Sequence, residues 1–150
     1  IPGSLVGSEM CIRDSLNPNC RLFLHEFWAN YQYKHEFNPP HWHGGLYSFV
    51  IWMKIPYSWE EQTKLPQFQT TKIQDRKAGM FEFEYSDTRG ETRSLSYQLS
   101  PDFEGCMCFF PAWMRHAVYP FFGTDEERVS ISGNIWYTPG TSSGKGFGSK

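Results

Sequence analysis

Leu46-Tyr-Ser-Phe-Val-Ile-Trp-Met-Lys-Ile55 is a nearly continuous run of apolar, aromatic and β-branched residues, closed by Pro56. Such residues fit a pleated, half-buried surface, so the run predicts a central β-strand. Its longest uninterrupted apolar piece, Phe49–Met53, is far too short to span a bilayer as a helix. The same punctuation recurs outward from it. Upstream, Phe27-Trp-Ala-Asn-Tyr-Gln-Tyr33 reads as an aromatic-rich strand, and Asn38-Pro-Pro40 breaks it and opens the next element. Downstream, Ser58-Trp-Glu-Glu61 has capping-box spacing for one short helix, which Pro66 cuts off. Residues 62–78 are polar without period and predict a surface loop. Phe81-Glu-Phe-Glu-Tyr85 alternates aromatics with carboxylates, the pattern of a strand with one solvated face. Asp87-Thr-Arg-Gly90 is a turn signal, and Leu95, Tyr97 and Leu99 alternate as the partner strand of a hairpin would. Pro101 to Gly105 is a second turn, and Cys106–Phe110 and Glu127–Thr138 add further strands. Short strands with at most one brief helix argue for an all-β sandwich or jelly-roll barrel.

Bulk composition narrows the classes. The 150 residues suit one domain around one core. The 14 Lys+Arg nearly balance the 16 Asp+Glu, so charge gives no reason to expect nucleic acid or a membrane as partner. Cys11, Cys20, Cys106 and Cys108 form no disulfide-rich pattern, and a reduced, cytoplasmic protein is the simplest expectation. At the N-terminus, Leu5-Val-Gly-Ser-Glu-Met-Cys-Ile-Arg-Asp-Ser15 resembles a translated sequencing-adapter stretch. Residues 1–15 are therefore expected to be non-native, with the natural chain beginning further upstream. The domain is then 16–138, truncated at its N-terminus, and the Gly/Ser-rich stretch 139–150 is expected to be a disordered tail.

His41-Trp-His43 is the first candidate for chemistry. On an extended strand, residues i and i+2 share a face, so both imidazoles can reach one metal. A lone HxH is a weak signal. The third histidine, His116, follows Cys106-Met-Cys-Phe-Phe-Pro-Ala-Trp-Met-Arg115, which reads as a strand, a Pro-broken corner and then His. A strand pair meeting a strand-end His is one way a β-barrel assembles a facial three-ligand site with open positions. Farther on, Arg128, Ser130, Ser132 and Asn134 share one face of a strand, and Val129, Ile131 and Ile135 the other. That polar face either meets solvent or turns inward. Turned inward, Arg128 offers a bidentate fork for a carboxylate and Ser130 a hydroxyl donor.

The order HxH, then Gly-x-x-x-Phe-Phe-Pro-x-x-x-x-His, then Arg-x-Ser, resembles the 2-oxoglutarate/Fe(II) oxygenase superfamily. The likeness is closest to a group found in phage and marine metagenomic sequence. It rests on Trp28-Ala-Asn-Tyr-Gln32, Asn38-Pro-Pro-His-Trp-His-Gly44, Ser48–Pro56, Gly105–His116 and Val118–Phe121 through Glu127–Asn134, most of residues 27–135. The resemblance implies a double-stranded β-helix, a cupin-like barrel. It implies Fe(II) held by His41, His116 and a third ligand, and 2-oxoglutarate held by Arg128 with Ser130 assisting. With O2 as co-reactant, 2-oxoglutarate would be decarboxylated to succinate while a C–H bond of a small-molecule or peptide substrate is oxidised. The wider superfamily carries His-x-Asp/Glu at the first pair, and here that carboxylate position holds His43. Glu36 is an alternative carboxylate across the Pro-Pro turn.

Other residues take plainer readings. Asn30 is a candidate contact to 2-oxoglutarate or substrate. Cys106 and Cys108 share a strand face and could ligate a metal, but inert buried thiols are expected. Tyr31, Trp52 and Trp113 are expected in the core, and His25 and His35 as structural or exposed groups. Two other functions compete with an oxygenase. A cupin-like metal-binding or isomerase domain would usually add a Glu shortly after the HxH, and none occurs between Gly44 and Trp59. A non-enzymatic phage or structural β-domain would carry the histidines by chance.

Overall fold

The computed structural model describes residues 21–138. The adapter-like stretch 1–15 and the Gly/Ser-rich tail 139–150 lie outside the described residues. One strand organises the rest. β8 (Arg128–Thr138) alternates Arg128, Ser130, Ser132 and Asn134 with apolar residues, and it is long enough to take a partner on each side. It pairs with β1 (Arg21–Gln32) and with β3 (Tyr47–Lys54), and β6 (Met107–Pro111) pairs on the far side of β3. The first sheet thus runs β1-β8-β3-β6, and β3, which holds most of the apolar run 46–55, is an interior strand of it. The second sheet holds β2 (Asn38–His41), β7 (Arg115–Val118), β4 (Met80–Ser86) and β5 (Thr92–Gln98), in the order β2-β7-β4-β5. Every pairing is antiparallel. This is the all-β, jelly-roll-like architecture expected. Among the described residues no helix is long and apolar enough to cross a membrane.

The sheets meet through aromatic rings. Trp52 from the first contacts Phe81 from the second at 5.5 Å between ring centroids, and Phe110 meets Phe83 at 4.9 Å. With Val50, Ile55, Tyr57, Leu99 and Phe121 they form one buried core. Fully burying such a side chain contributes about 1.5–3 kcal/mol, which makes this cluster the main force holding the sheets together. The capping box forms as its spacing predicts. Glu61 N–H donates to Ser58 Oγ and Ser58 N–H to Glu61 Oε2, starting α1 (Trp59–Thr63).

Several local expectations are corrected. Asn38-Pro-Pro40 opens the next strand as expected and makes most of it, β2, but it does not break β1, which already ends at Gln32. β2 is the outermost strand of its sheet, where the missing proline N–H groups cost no ladder bond. His116 does not sit at a strand end; it lies within β7, paired with His41 on one side and Phe83 on the other. Residues 62–78 are more than a surface loop. Gln62 is buried, donating Nε2–H to Phe122 O at 3.0 Å and accepting the Phe122 N–H at 2.8 Å. The carboxylate face of β4 is not solvated at Glu82, which is buried against Lys77, Ser96 and Tyr119. Trp52 is core as expected, but Tyr31 and Trp113 are 61% and 69% exposed. Cys106 is likewise exposed rather than buried.

Candidate metal centre

Three local features bring the histidines together. Pro39 and Pro40 keep β2 extended up to His41. The next anchor is His43, whose N–H donates to Ala112 O at 2.9 Å. The chain then turns through Gly44 and Gly45. Gly45 has φ +105°, and a Cβ there would come within 2.8 Å of Trp136 Nε1 and 2.9 Å of Ile135 O. Only glycine lets the chain pass this close beneath Trp136 on its way into β3. Across the β2–β7 ladder His116 stands directly opposite His41.

One ligand-type nitrogen from each of His41, His43 and His116 lies within 4.8 Å of those of the other two. The ring centroids are 4.3 Å (His41–His116), 5.0 Å (His41–His43) and 5.1 Å (His43–His116) apart. Donors sharing one ion stand roughly 3–4 Å apart, so the three need to draw together only slightly to close on one. Two rings are already oriented. His41 Nδ1 lies 2.7 Å from Pro39 O and His116 Nδ1 lies 3.0 Å from Met114 O. With Nδ1–H donated to a carbonyl, the lone pair is left on Nε2. Burial, opposed by the Met114 carbonyl and reinforced by His41 and His43, pushes the His116 pKa down to about 4. His43 is lowered too, by burial first and His41 second, with Glu26 acting against them. Both shifts favour the neutral, metal-ligating form of His43 and His116. Neutral nitrogen donors suit a divalent first-row ion, Fe(II) among them. Glu36 does not join it, since its Oε2 accepts the Tyr33 N–H at 2.8 Å. Among the described residues the cluster contains no carboxylate and neither cysteine.

Arg128 faces the same space from the other sheet. β7 and β8 are not neighbours; the segment between them crosses from one sheet to the other, so Arg128 reaches the site from the opposite wall rather than from an adjacent strand. Its side chain is 2% exposed. The solvent-facing option for this face is excluded at Arg128, and the neighbouring Glu126 pairs with Lys54. Nη1 donates to the Tyr57 hydroxyl, and Nη2 to Gln32 Oε1 at 2.5 Å and Tyr119 O at 3.1 Å. The guanidinium also lies 5.7 Å from the centroid of Tyr57 and 5.4 Å from that of Phe121. All these partners are neutral, and among the described residues no carboxylate pairs with Arg128. Burial pulls its pKa down and Tyr57 pushes it back up. A buried cation without a counter-ion is costly unless an anion completes it.

A single cavity of about 610 Å³ joins the two halves, lined by the three histidines at one part and Arg128, Ser130 and Asn30 at another. Its size is that of a small-molecule site. Asn30 is committed to the wall: Nδ2 donates to Ser130 Oγ at 3.3 Å and Ser132 Oγ at 3.1 Å, and Oδ1 accepts from Trp28 Nε1. Its part is to fix the serines. Sequence reasoning missed Gln32, Tyr57 and Tyr119, which hold Arg128. Only Gln32 left a signal, because Trp28, Asn30 and Gln32 share the inward face of β1. A family model described as "Putative 2OG-Fe(II) oxygenase" matches residues 26–134. No curated protein matches the chain.

Proposed function

The chain belongs to the 2OG-Fe(II) oxygenase family, and from that premise we propose that it is an Fe(II)- and 2-oxoglutarate-dependent dioxygenase acting on a C–H bond of a small molecule or peptide. One observation carries the reading: a buried arginine with no carboxylate partner among the described residues shares a cavity with three clustered imidazoles. His41, His43 and His116 hold the metal. The carboxylate far from the metal pairs with Arg128, whose guanidinium otherwise meets only neutral acceptors. The Ser130 hydroxyl accepts from Asn30 and can still donate to the same carboxylate. Phe81 and Phe110 line the cavity between the walls and keep water from the reacting atoms. When bound, the iron supplies the O2 chemistry that couples decarboxylation of 2-oxoglutarate to oxidation of the substrate. A cupin-type or purely structural domain would leave the buried Arg128 without a purpose. The proposal includes a cytoplasmic setting, on cysteine usage alone.

Thermal unfolding with Mn(II) in place of iron tests this without turnover. 2-Oxoglutarate should raise the melting temperature saturably, and only when metal is present. Stabilisation by the metal with none from 2-oxoglutarate would overturn the assignment.

A further inference from the structure

Gln32 ends β1 and stands opposite Arg128 in the β1–β8 ladder. Its carboxamide is engaged at both ends: Oε1 accepts from Arg128 Nη2 at 2.5 Å, and Nε2 donates to Glu36 O at 2.6 Å. The three acceptors around Arg128 are not equally fixed. The Tyr57 ring is buried, stacks on Phe121 at 4.8 Å, and its hydroxyl donates to Gly79 O at 2.9 Å. Tyr119 contributes a backbone oxygen, and its own N–H is held by Met80 O at 2.9 Å. Neither can leave without disturbing the fold. Gln32 is half-buried, lines the cavity, and holds Arg128 through rotatable bonds.

We propose that Gln32 is a placeholder for the carboxylate, its amide oxygen occupying an Arg128 N–H that the cosubstrate takes over, so that Gln32 sets the affinity for 2-oxoglutarate. The inference rests on reading Arg128 as the carboxylate-binding residue. Exchange is downhill because an ion pair replaces a hydrogen bond from the cation to a neutral amide, and the buried cation gains its counter-ion. The displaced carboxamide turns into the open cavity.

Two substitutions pull in opposite directions. Gln32→Ala removes the competitor, and Gln32→Glu supplies a tethered carboxylate that closes the site from within. Calorimetric titration of 2-oxoglutarate into the Mn(II)-loaded protein should give binding about 10-fold or more tighter for Gln32→Ala, the scale of one hydrogen bond to a charged group. Gln32→Glu should bind at least about 30-fold more weakly, while its melting temperature without 2-oxoglutarate rises above wild type. A purely structural Gln32 would instead lower stability and affinity together in both variants. Binding by Gln32→Ala that is unchanged or weaker, beside normal wild-type binding, overturns the placeholder and leaves the Arg128 reading intact. Absence of 2-oxoglutarate binding by wild type overturns the reading on which it rests.

Discussion

His116 and Arg128 line one cavity from opposite sheets, His116 from β7 and Arg128 from β8. A molecule held by both joins the two walls. The buried cation on one wall and the neutral donor on the other are 4% exposed or less, so each is sensitive to what occupies the space between them.

Arg128→Lys keeps the charge and loses the planar fork. We expect 2-oxoglutarate affinity to drop about 10–100-fold, the range for one or two charge-assisted hydrogen bonds. Mn(II) affinity should stay within about 2-fold of wild type, because the histidines are untouched. Calorimetry with each ligand in turn checks both, and equal losses for metal and 2-oxoglutarate would point to collapse of the cavity.

The metal-free protein should lose stability in acid through His116. Its folded pKa of about 4 lies below the unfolded value of 6.5. Above pH 6.5 both states are neutral there and the group has no effect. Between pH 6.5 and 4 the unfolded state binds the extra proton, so stability falls as pH falls, by up to about 3 kcal/mol. Urea melts of wild type and His116→Phe across this window check it; parallel curves would show that His116 is not held neutral.

Glu82 is a buried carboxylate that depends on Lys77. Burial alone would raise its pKa, but hydrogen bonds from Lys77 and Ser96, the Lys77 charge and Tyr119 together hold it below the ordinary value. Lys77→Met should cost about 2–4 kcal/mol, while Lys77→Met with Glu82→Gln should recover most of it. A double variant as unstable as the single one would contradict this.

Gly133→Ala should destabilise by about 2–3 kcal/mol in denaturant melts, the cost of overpacking. The new Cβ would lie 2.7 Å from Glu26 O and 2.7 Å from the Phe49 ring, with β1 and β3 closing on both sides of β8. A neutral outcome would mean that β1 can shift away from β8.

What the sequence disclosed was local. The run at 46–55, the β4–β5 hairpin and the capping box at Ser58 follow from period and spacing within a few residues. The inward polar face at 128–134 was readable as one of two options, because alternation separates faces without saying which is buried. What lay beyond reach depends on distant partners. Two prolines can form β2 only because it is an edge strand. Glu82 is buried only because Lys77 folds over it. Gln32 and Tyr57 meet Arg128 across separations of 96 and 71 residues. The histidine cluster was legible because His41 and His43 stand two residues apart; that β2 ends at His41 and leaves His43 beyond it, and that His116 pairs with His41 inside β7, was not.

Anaerobic titration of 2-oxoglutarate into the Fe(II)-loaded protein, followed by visible absorbance, tests the central claim most directly. Chelation of Fe(II) by the keto acid gives a metal-to-ligand charge-transfer band. The account predicts a band that saturates with one 2-oxoglutarate per chain, is absent in His116→Ala, and needs higher 2-oxoglutarate concentrations in Arg128→Lys. Protein that holds iron at the cluster yet shows no such band at saturating 2-oxoglutarate, or that binds no iron at all, would contradict it.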